Sequence, residues 1–371
     1  MSIHGVVLMP WNSLYDCRTG SFDRVALTRK DNGESQLHLP APRKKQPLMP
    51  PTLTLIATSL RPLLARWYPE KPWLWDRPWA FISHRLVLMA LERWTPALLR
   101  APAVLTLGTG LHIVYPLRDA LGRAIFLHGY SEYATAHLLR ALIREDWGCV
   151  DVGANRGEYT LLMAARAVQG RVIAFEPVPA IYAWLQSHVR SNRLPNVVTV
   201  NAAAHHYDGS STFFINRYQG NSGLSSLSPS LYYADSGLEE CAVPCVTLDT
   251  ALATIDRVDR IKIDVENHEL DVLRGASHIL ATFHPIIIFE FGSVLQPASP
   301  EIAAHLIELG YALYCVSYHP AAGPILAPVG DLQSATLARF YTRFEAVNLV
   351  AVHHARAEAI ARLVYKAPVA G

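Results

Sequence analysis

Apolar and polar positions change period along the chain, and those changes predict its elements. From Cys149 onward, short apolar runs alternate with segments of helical spacing. Cys149, Val150 and Val152 read as a buried strand, followed by a glycine turn and an apolar helix over Tyr159–Val168 that ends near Gly170. Arg171–Phe175 is a second strand and stops at Glu176-Pro177. A helix over about Ala180–Asn192 leads to VVTVNAA, a third strand. RIKID, residues 260–264, is a fourth, and PIIIFEF, residues 285–291, a fifth. A helix over Glu301–Leu309 and strands at Tyr311–Val316 and Ala346–Val352 complete the sheet, with a helical turn past His353. Such β-α-β-α-β alternation predicts an α/β fold with parallel strands and right-handed crossovers. Ligands then belong at the carboxyl ends of the strands.

The remainder of the chain follows different patterns. Residues 1–50 are polar, mixed in charge and rich in proline towards their end, which predicts a disordered tail. Residues 51–128 predict a helical N-terminal segment followed by short strands that pack on the core. Helical spacing covers Leu53–Trp67 and about Ala80–Leu99, with Trp73, Trp75 and Trp79 between them as a small satellite core. Val104–Ile125 reads as short strands, LTLGTGLHIVYP and GRAIFLHG, with turns at Gly108-Thr109-Gly110 and at Gly122. The main domain is assigned to 129–355 and opens with a helix over Glu132–Arg144; a tail covers 356–371. Tyr130 and Glu132 either border a ligand crevice or cap that helix. Residues 207–247 break the alternation: Ser211–Asn216 is a strand, 217–233 is a lid or a surface loop, and Thr247 and Asp249 are candidate caps.

Composition narrows the function classes. A net charge of +2 on 371 residues gives no case for nucleic-acid binding. Five cysteines occur without a C-x-x-C pair, so a zinc site is not expected and no metal is assigned; the set fits reduced thiols in the cytoplasm. There is no basic-then-apolar leader, and no run reaches the roughly 18 apolar residues of a membrane span.

The chemistry concentrates at predicted strand ends. Gly153 and Gly157 bracket Ala154, Asn155 and Arg156 after the first strand, and Asp151 precedes them. Glycine permits a sharp turn and close approach of a ligand. The loop lacks the third glycine of a dinucleotide fingerprint and the lysine of a P-loop. An acid before it suits a cationic ligand such as S-adenosylmethionine better than a pyrophosphate. Glu176, some twenty residues on, is placed to hold ribose hydroxyls, and Asn201, at the third strand end, is a further candidate cofactor-binding residue. Lys262, Asp264, Glu266 and His268 gather at the fourth. Four ionisable groups there are either a functional cluster or an ion pair with acids favouring a helix start.

These residues resemble the FkbM-type S-adenosylmethionine-dependent methyltransferases. The resemblance rests on DVGANRGEYT (151–160), FEPVP (175–179), PNVVTVNAA (195–203), SGLSSL (222–227), VTLDTAL (246–252), IKIDVENHELDVLRGA (261–276) and PIIIFE (285–290), in the family's order. It implies a Rossmann-like fold with a mostly parallel seven-stranded sheet flanked by helices. It implies methyl transfer to a hydroxyl of a sugar, a polyketide-type small molecule or a glycan. It also implies that Asp151, Gly153, Asn155 and Gly157 hold the methionine part of S-adenosyl-L-methionine and Glu176 the ribose. The family's usual glycine after its fourth-strand VE is Asn267 here. Asp264, Glu266 and His268 are the candidate bases, with Lys262 orienting a carboxylate. Rival readings are a catalytically inactive cofactor-binding scaffold of the same fold and a nicotinamide-dependent oxidoreductase.

Overall fold

The structure is a computed structural model that describes residues 102–117, 119–216, 238–291, 300–319, 323–329 and 348–364. It also describes Arg93, Leu227 and the backbone of four short strands before residue 38. Those strands, β1 (Ser13–Asp16), β2 (Ser21–Arg24), β3 (Leu27–Arg29) and β4 (Ser35–Leu37), pair as two antiparallel ribbons. They lie in the first of two compact units, Met1–Gln46; the elements that follow belong to the second, Pro47–Gly371. The helices expected over 51–100, the tryptophan cluster and the loop 217–233 fall outside the described residues, apart from Arg93 and Leu227.

The second unit opens with a hairpin, β5 (Pro102–Thr106) and β6 (His112–Pro116), then α1 (Ala120–His128) and α2 (Tyr133–Leu142). β7 (Gly148–Val152), β8 (Arg171–Phe175) and β9 (Val197–Val200) are linked by α3 (Glu158–Arg166) and α4 (Pro179–Ser191). A small sheet intervenes: β10 (Ala203–Ala204), β11 (Gly209–Asn216) and β12 (Leu238–Val246), followed by α5 (Leu248–Ala251). Then come β13 (Arg260–Ile263), α6 (Glu269–Arg274), α7 (Ser277–Phe283), β14 (Ile286–Glu290) and α8 (Pro300–Glu308). β15 (Tyr311–His319), β16 (Gly323–Pro328), β17 (Asn348–His353) and a short α9 (Ala357–Ile360) finish the unit.

The main sheet runs β16-β15-β17-β14-β13-β7-β8-β9. Strands β14, β13, β7, β8 and β9 run parallel to one another, whereas β17 is antiparallel to both β14 and β15. This is the expected Rossmann-like sheet, with one correction: among the described residues it has eight strands, not seven. The extra strand, β16, returns from β15 as an antiparallel hairpin. Its Leu326 is fully buried, and the Leu326 N–H donates to the Leu363 carbonyl at 2.8 Å, so the C-terminal segment covers that edge.

Strand residues alternate between two apolar layers. Cys149, Ile286, Ile288, Val350 and Val352 pack with α2 and α3 on one side. Val150, Val152, Ile261, Ile263, Ile287 and Phe289 pack with α6, α7 and α8 on the other. Helices on both faces leave the strand tips as the place for a ligand.

Two further expectations are corrected. GRAIFLHG is part of a helix, not a strand. Asp119 caps it by accepting from the Leu121 N–H at 2.9 Å, and Gly129 ends it at φ 80°. Four consecutive apolar residues fit either period, so the caps decide. Gly122 is no turn: a Cβ there would press on Tyr115 and the Pro116 carbonyl, where α1 packs on β6. The third strand is also shorter than VVTVNAA, because Ala203 and Ala204 cross to pair with β12 in the small sheet.

Candidate active site

The glycine loop after β7 is tied to both neighbouring strand ends. Gly153 adopts φ 78°, and a Cβ there would run into the Asp264 carbonyl, so the loop lies against the chain leaving β13. The N–H groups of Gly153 and Ala154 donate to the Phe175 carbonyl at 3.1 and 2.9 Å. Glu176, at the tip of β8, accepts from the N–H of Asn155 at 2.9 Å and of Val178 at 2.8 Å. Burial pushes its carboxyl up to about 7, against those two hydrogen bonds. Asn201 does not reach across the tips. Its amide donates to the carbonyls of Glu176 and Pro177 at 2.8 and 2.9 Å and so fixes the turn that carries Glu176. The Asn155 Oδ1 is buried with no hydrogen-bond partner.

Asp151 lies beneath this loop and is buried. It accepts from the Thr160 hydroxyl at 2.5 Å, which braces the first turns of α3. Burial raises its carboxyl, and the charge of Lys262, directly opposite in the register of β13, pulls it back. The Lys262 ammonium is itself buried, sits 2.8 Å from the Asp264 carboxylate and lies 4.4 Å from the centre of the Tyr159 ring. The Tyr159 hydroxyl donates to Glu132 at 2.6 Å. Neighbouring Glu158 accepts from both the N–H and the hydroxyl of Ser131 at 2.7 Å, and burial lifts its carboxyl to about 7.

At the tips of β13 and β14, oxygens of Asp264, Glu266 and Glu290 lie within 4.8 Å of one another. Burial pushes the carboxyls of Glu266 and Glu290 up, and the nearby charge of Asp264 pushes both further. Burial also acts on Asp264, but Lys262 overrides it and holds that carboxyl below its ordinary value. The arrangement favours charge on Asp264 and strengthens the hold of both glutamates on a proton. Glu266 and Asn267 are both left-handed, at φ 53° and 77°. Asparagine at 267 accepts that geometry at low cost; glutamate at 266 is strained and held by its surroundings.

Lys262, Asp264 and Glu266 are thus brought together, with Asp151 behind them. His268 pairs with Asp271, its Nδ1 lying 2.9 Å from the carboxylate. Glu290 and Tyr159 lay inside the recognised blocks PIIIFE and DVGANRGEYT without being assigned to the site, and Glu132 was offered as a possible border of the crevice with no role given. Their convergence depends on strand order, which adjacency in the chain does not give. On the other side of the loop, Arg156 stacks between Tyr115 and Trp184, at 4.7 and 5.3 Å from the ring centres, and bonds the Val114 carbonyl.

Residues 151–313 match the family model of the methyltransferase FkbM domain. This stretch is an FkbM methyltransferase domain. The FkbM domain therefore runs from the strand carrying Asp151 into β15 and contains both the glycine loop and the acidic tips. Over 146 residues the chain is 29% identical to Methyltransferase 1 of Beauveria bassiana, covering 35% of this chain and 59% of that protein. It is 28% identical over 153 residues to Methyltransferase sdnD of Sordaria araneosa, covering 34% and 59%. It is 30% identical over 161 residues to the AMB antimetabolite synthetase AmbE of Pseudomonas aeruginosa, covering 34% of this chain and 7% of that one. The chain thus spans 59% of the two curated methyltransferases. Among solved structures, methyltransferase FkbM from Methylobacillus flagellatus matches at 14% identity and TM-score 0.37, over 62% of this chain and 52% of that one. Among the described residues, no helix is long and apolar enough to cross a membrane.

Proposed function

We propose that the protein is an S-adenosylmethionine-dependent methyltransferase that methylates a hydroxyl of a sugar, a polyketide-type small molecule or a glycan. We take 129–355 as the catalytic domain. The observation that carries the reading is the polar row along adjacent strand tips, Glu176, Asp151, Lys262, Asp264, Glu266 and Glu290, beside a loop whose glycine admits no Cβ. The residues present fit the cofactor. Gly153, Asn155 and Gly157 would line its cradle, the orphaned Asn155 Oδ1 would offer an acceptor to an ammonium, and the second lone pairs of Glu176 would remain for ribose hydroxyls. Asp151 acts from beneath, by charge and by bracing α3. When bound, the cofactor supplies an already activated methyl group, so the protein chiefly aligns it with an acceptor.

A neutral hydroxyl needs a base. Lys262 keeps Asp264 ionised and fixed, and Asp264 keeps the proton affinity of Glu266 high. Glu266, once ionised, takes the hydroxyl proton; Glu290 stays protonated and donates to the Asp264 side of the cluster. His268, held by Asp271, borders the same loop. The test is calorimetric binding of S-adenosylmethionine, then label transfer from methyl-labelled cofactor into candidate acceptors and host extract. Binding without transfer to any acceptor would favour the inactive scaffold. For Glu266→Gln we expect unchanged cofactor affinity, at least 100-fold slower transfer, and loss of the rise in rate with pH that the wild-type glutamate confers as it ionises. A pH profile unchanged in that variant removes Glu266 from the base role.

A further inference from the structure

A second cluster of ligating side chains lies outside the acidic tips. His205 and His206 follow β10, and His268 and Asp271 come from the start of α6. The Asp271 carboxylate sits 2.9 Å from His268 Nδ1, 3.0 Å from His206 Nδ1 and 3.8 Å from His205 Nε2. We propose that His205, His268 and Asp271, supported by His206, form a binding site for one divalent transition-metal ion of the zinc type.

Three features favour an ion over a plain histidine–aspartate network. The first is spacing. Ligand atoms each roughly 2.0–2.1 Å from a tetrahedral zinc lie about 3.4 Å apart. The two contacts on Asp271 Oδ2, at 2.9 and 3.8 Å, bracket that value, and the three ligand atoms all fall within 4.8 Å of one another. The second is an unsatisfied ring. The His205 side chain is 8% exposed, its Nδ1 has no hydrogen-bond partner, and its Nε2 stands too far from Asp271 for a hydrogen bond. With no hydrogen bond of its own, Nε2 keeps its lone pair for a cation, and the proton of the neutral ring then resides on Nδ1. The third is a prepared frame. The His205 N–H donates to the Val246 carbonyl at 2.9 Å, fixing it on the small sheet, and Gly275 at the end of α6 packs on the His205 carbonyl with no room for a Cβ. The two halves of the site are therefore pre-positioned. His206 on the far oxygen orients the carboxylate, as outer partners of metal ligands do. Its side chain is 46% exposed, so an ion can enter.

Imidazole nitrogens with one carboxylate suit zinc, cobalt or nickel better than magnesium or calcium. The ion fastens α6, and with it the loop bearing Asp264 and Glu266, to the small sheet. The binding claim does not rest on the methyl-transfer reading.

The test uses the full chain with any affinity tag removed and metals stripped by chelator. Titration with cobalt(II) is followed by visible absorption and calorimetry, with zinc(II) as competitor. One cobalt per chain with an intense tetrahedral spectrum, displaced by zinc, is expected. His205→Gln and Asp271→Asn should each weaken binding at least tenfold, and Glu290→Gln should leave it intact. Absence of saturable binding, binding indifferent to both His205→Gln and Asp271→Asn, or binding lost with Glu290→Gln overturns the proposal. If either variant loses its far-ultraviolet circular dichroism, histidine modification of the wild type decides instead. Zinc should protect His205 and His268 from diethylpyrocarbonate while exposed His112 still reacts; equal labelling of all three with and without zinc rejects the site.

Discussion

Gly153 shows how one missing side chain places two segments of the candidate site. At φ 78°, with the Asp264 carbonyl where a Cβ would stand, it holds the glycine loop and the tip of β13 in direct contact. Gly153→Ala meets both a disfavoured backbone and a clash, so a loss of roughly 2–4 kcal/mol in urea unfolding is expected, with cofactor binding lost first. A variant with wild-type stability would show that the loop moves freely. Gly157 is left-handed as well, at φ 97°, but the contact there is the flexible end of Leu185. Lys262 makes the complementary point. A buried ammonium is tolerable because Asp264 and Asp151 neutralise it and the Tyr159 ring faces it.

Between elements, His188 on α4 joins three pieces of chain. It accepts from the Val114 N–H at 3.0 Å and donates to the Arg156 carbonyl at 2.7 Å, which fixes it as the neutral form. Burial depresses its ring from the ordinary 6.5 to about 4. The folded value lies below the unfolded one. Its contribution is therefore complete above about 6.5 and is lost as pH falls towards 4, on the order of 3 kcal/mol. Urea unfolding across that window should show this slope in the wild type and a flatter one in His188→Gln; equal slopes would refute the assignment. The β5–β6 hairpin is thereby a working wall of the glycine loop. The sequence marked these strands but gave no hint of where they dock. Parallel strands were legible because each is a short apolar run ended by an acid or asparagine. GRAIFLHG misled because its period is ambiguous, and the capping Asp119 and Gly129 carry the information. The loop from Asp264 to Asn267 was legible as a motif. The approach of Glu290 and Glu132 to it was not, since those contacts cross from separate strands and helices.

Across the whole second unit, the base of the sheet is clamped as deliberately as its tips. Asp259 is buried and accepts from the Gly148 N–H at 3.0 Å and from Arg257 at 2.5 Å, with Arg356 at 3.4 Å. It therefore links β7, the approach to β13 and the C-terminal turn. Asp259→Ala leaves the Gly148 N–H unpaired and removes one contact from each of two arginines; Arg257 keeps Asp146 and Arg356 keeps the Phe283 carbonyl, and both are partly exposed, so about 2 kcal/mol should be lost. A melting temperature within a degree of wild type would exclude the clamp. Strand β17, finally, is made last among the sheet strands yet sits between β14 and β15. While the chain is still emerging from the ribosome, β14 and β15 have no common neighbour and expose unpaired edges. A stop codon before residue 348 would remove an interior stave of the barrel-less wall, splitting it in two, whereas loss of β16 would trim only its margin.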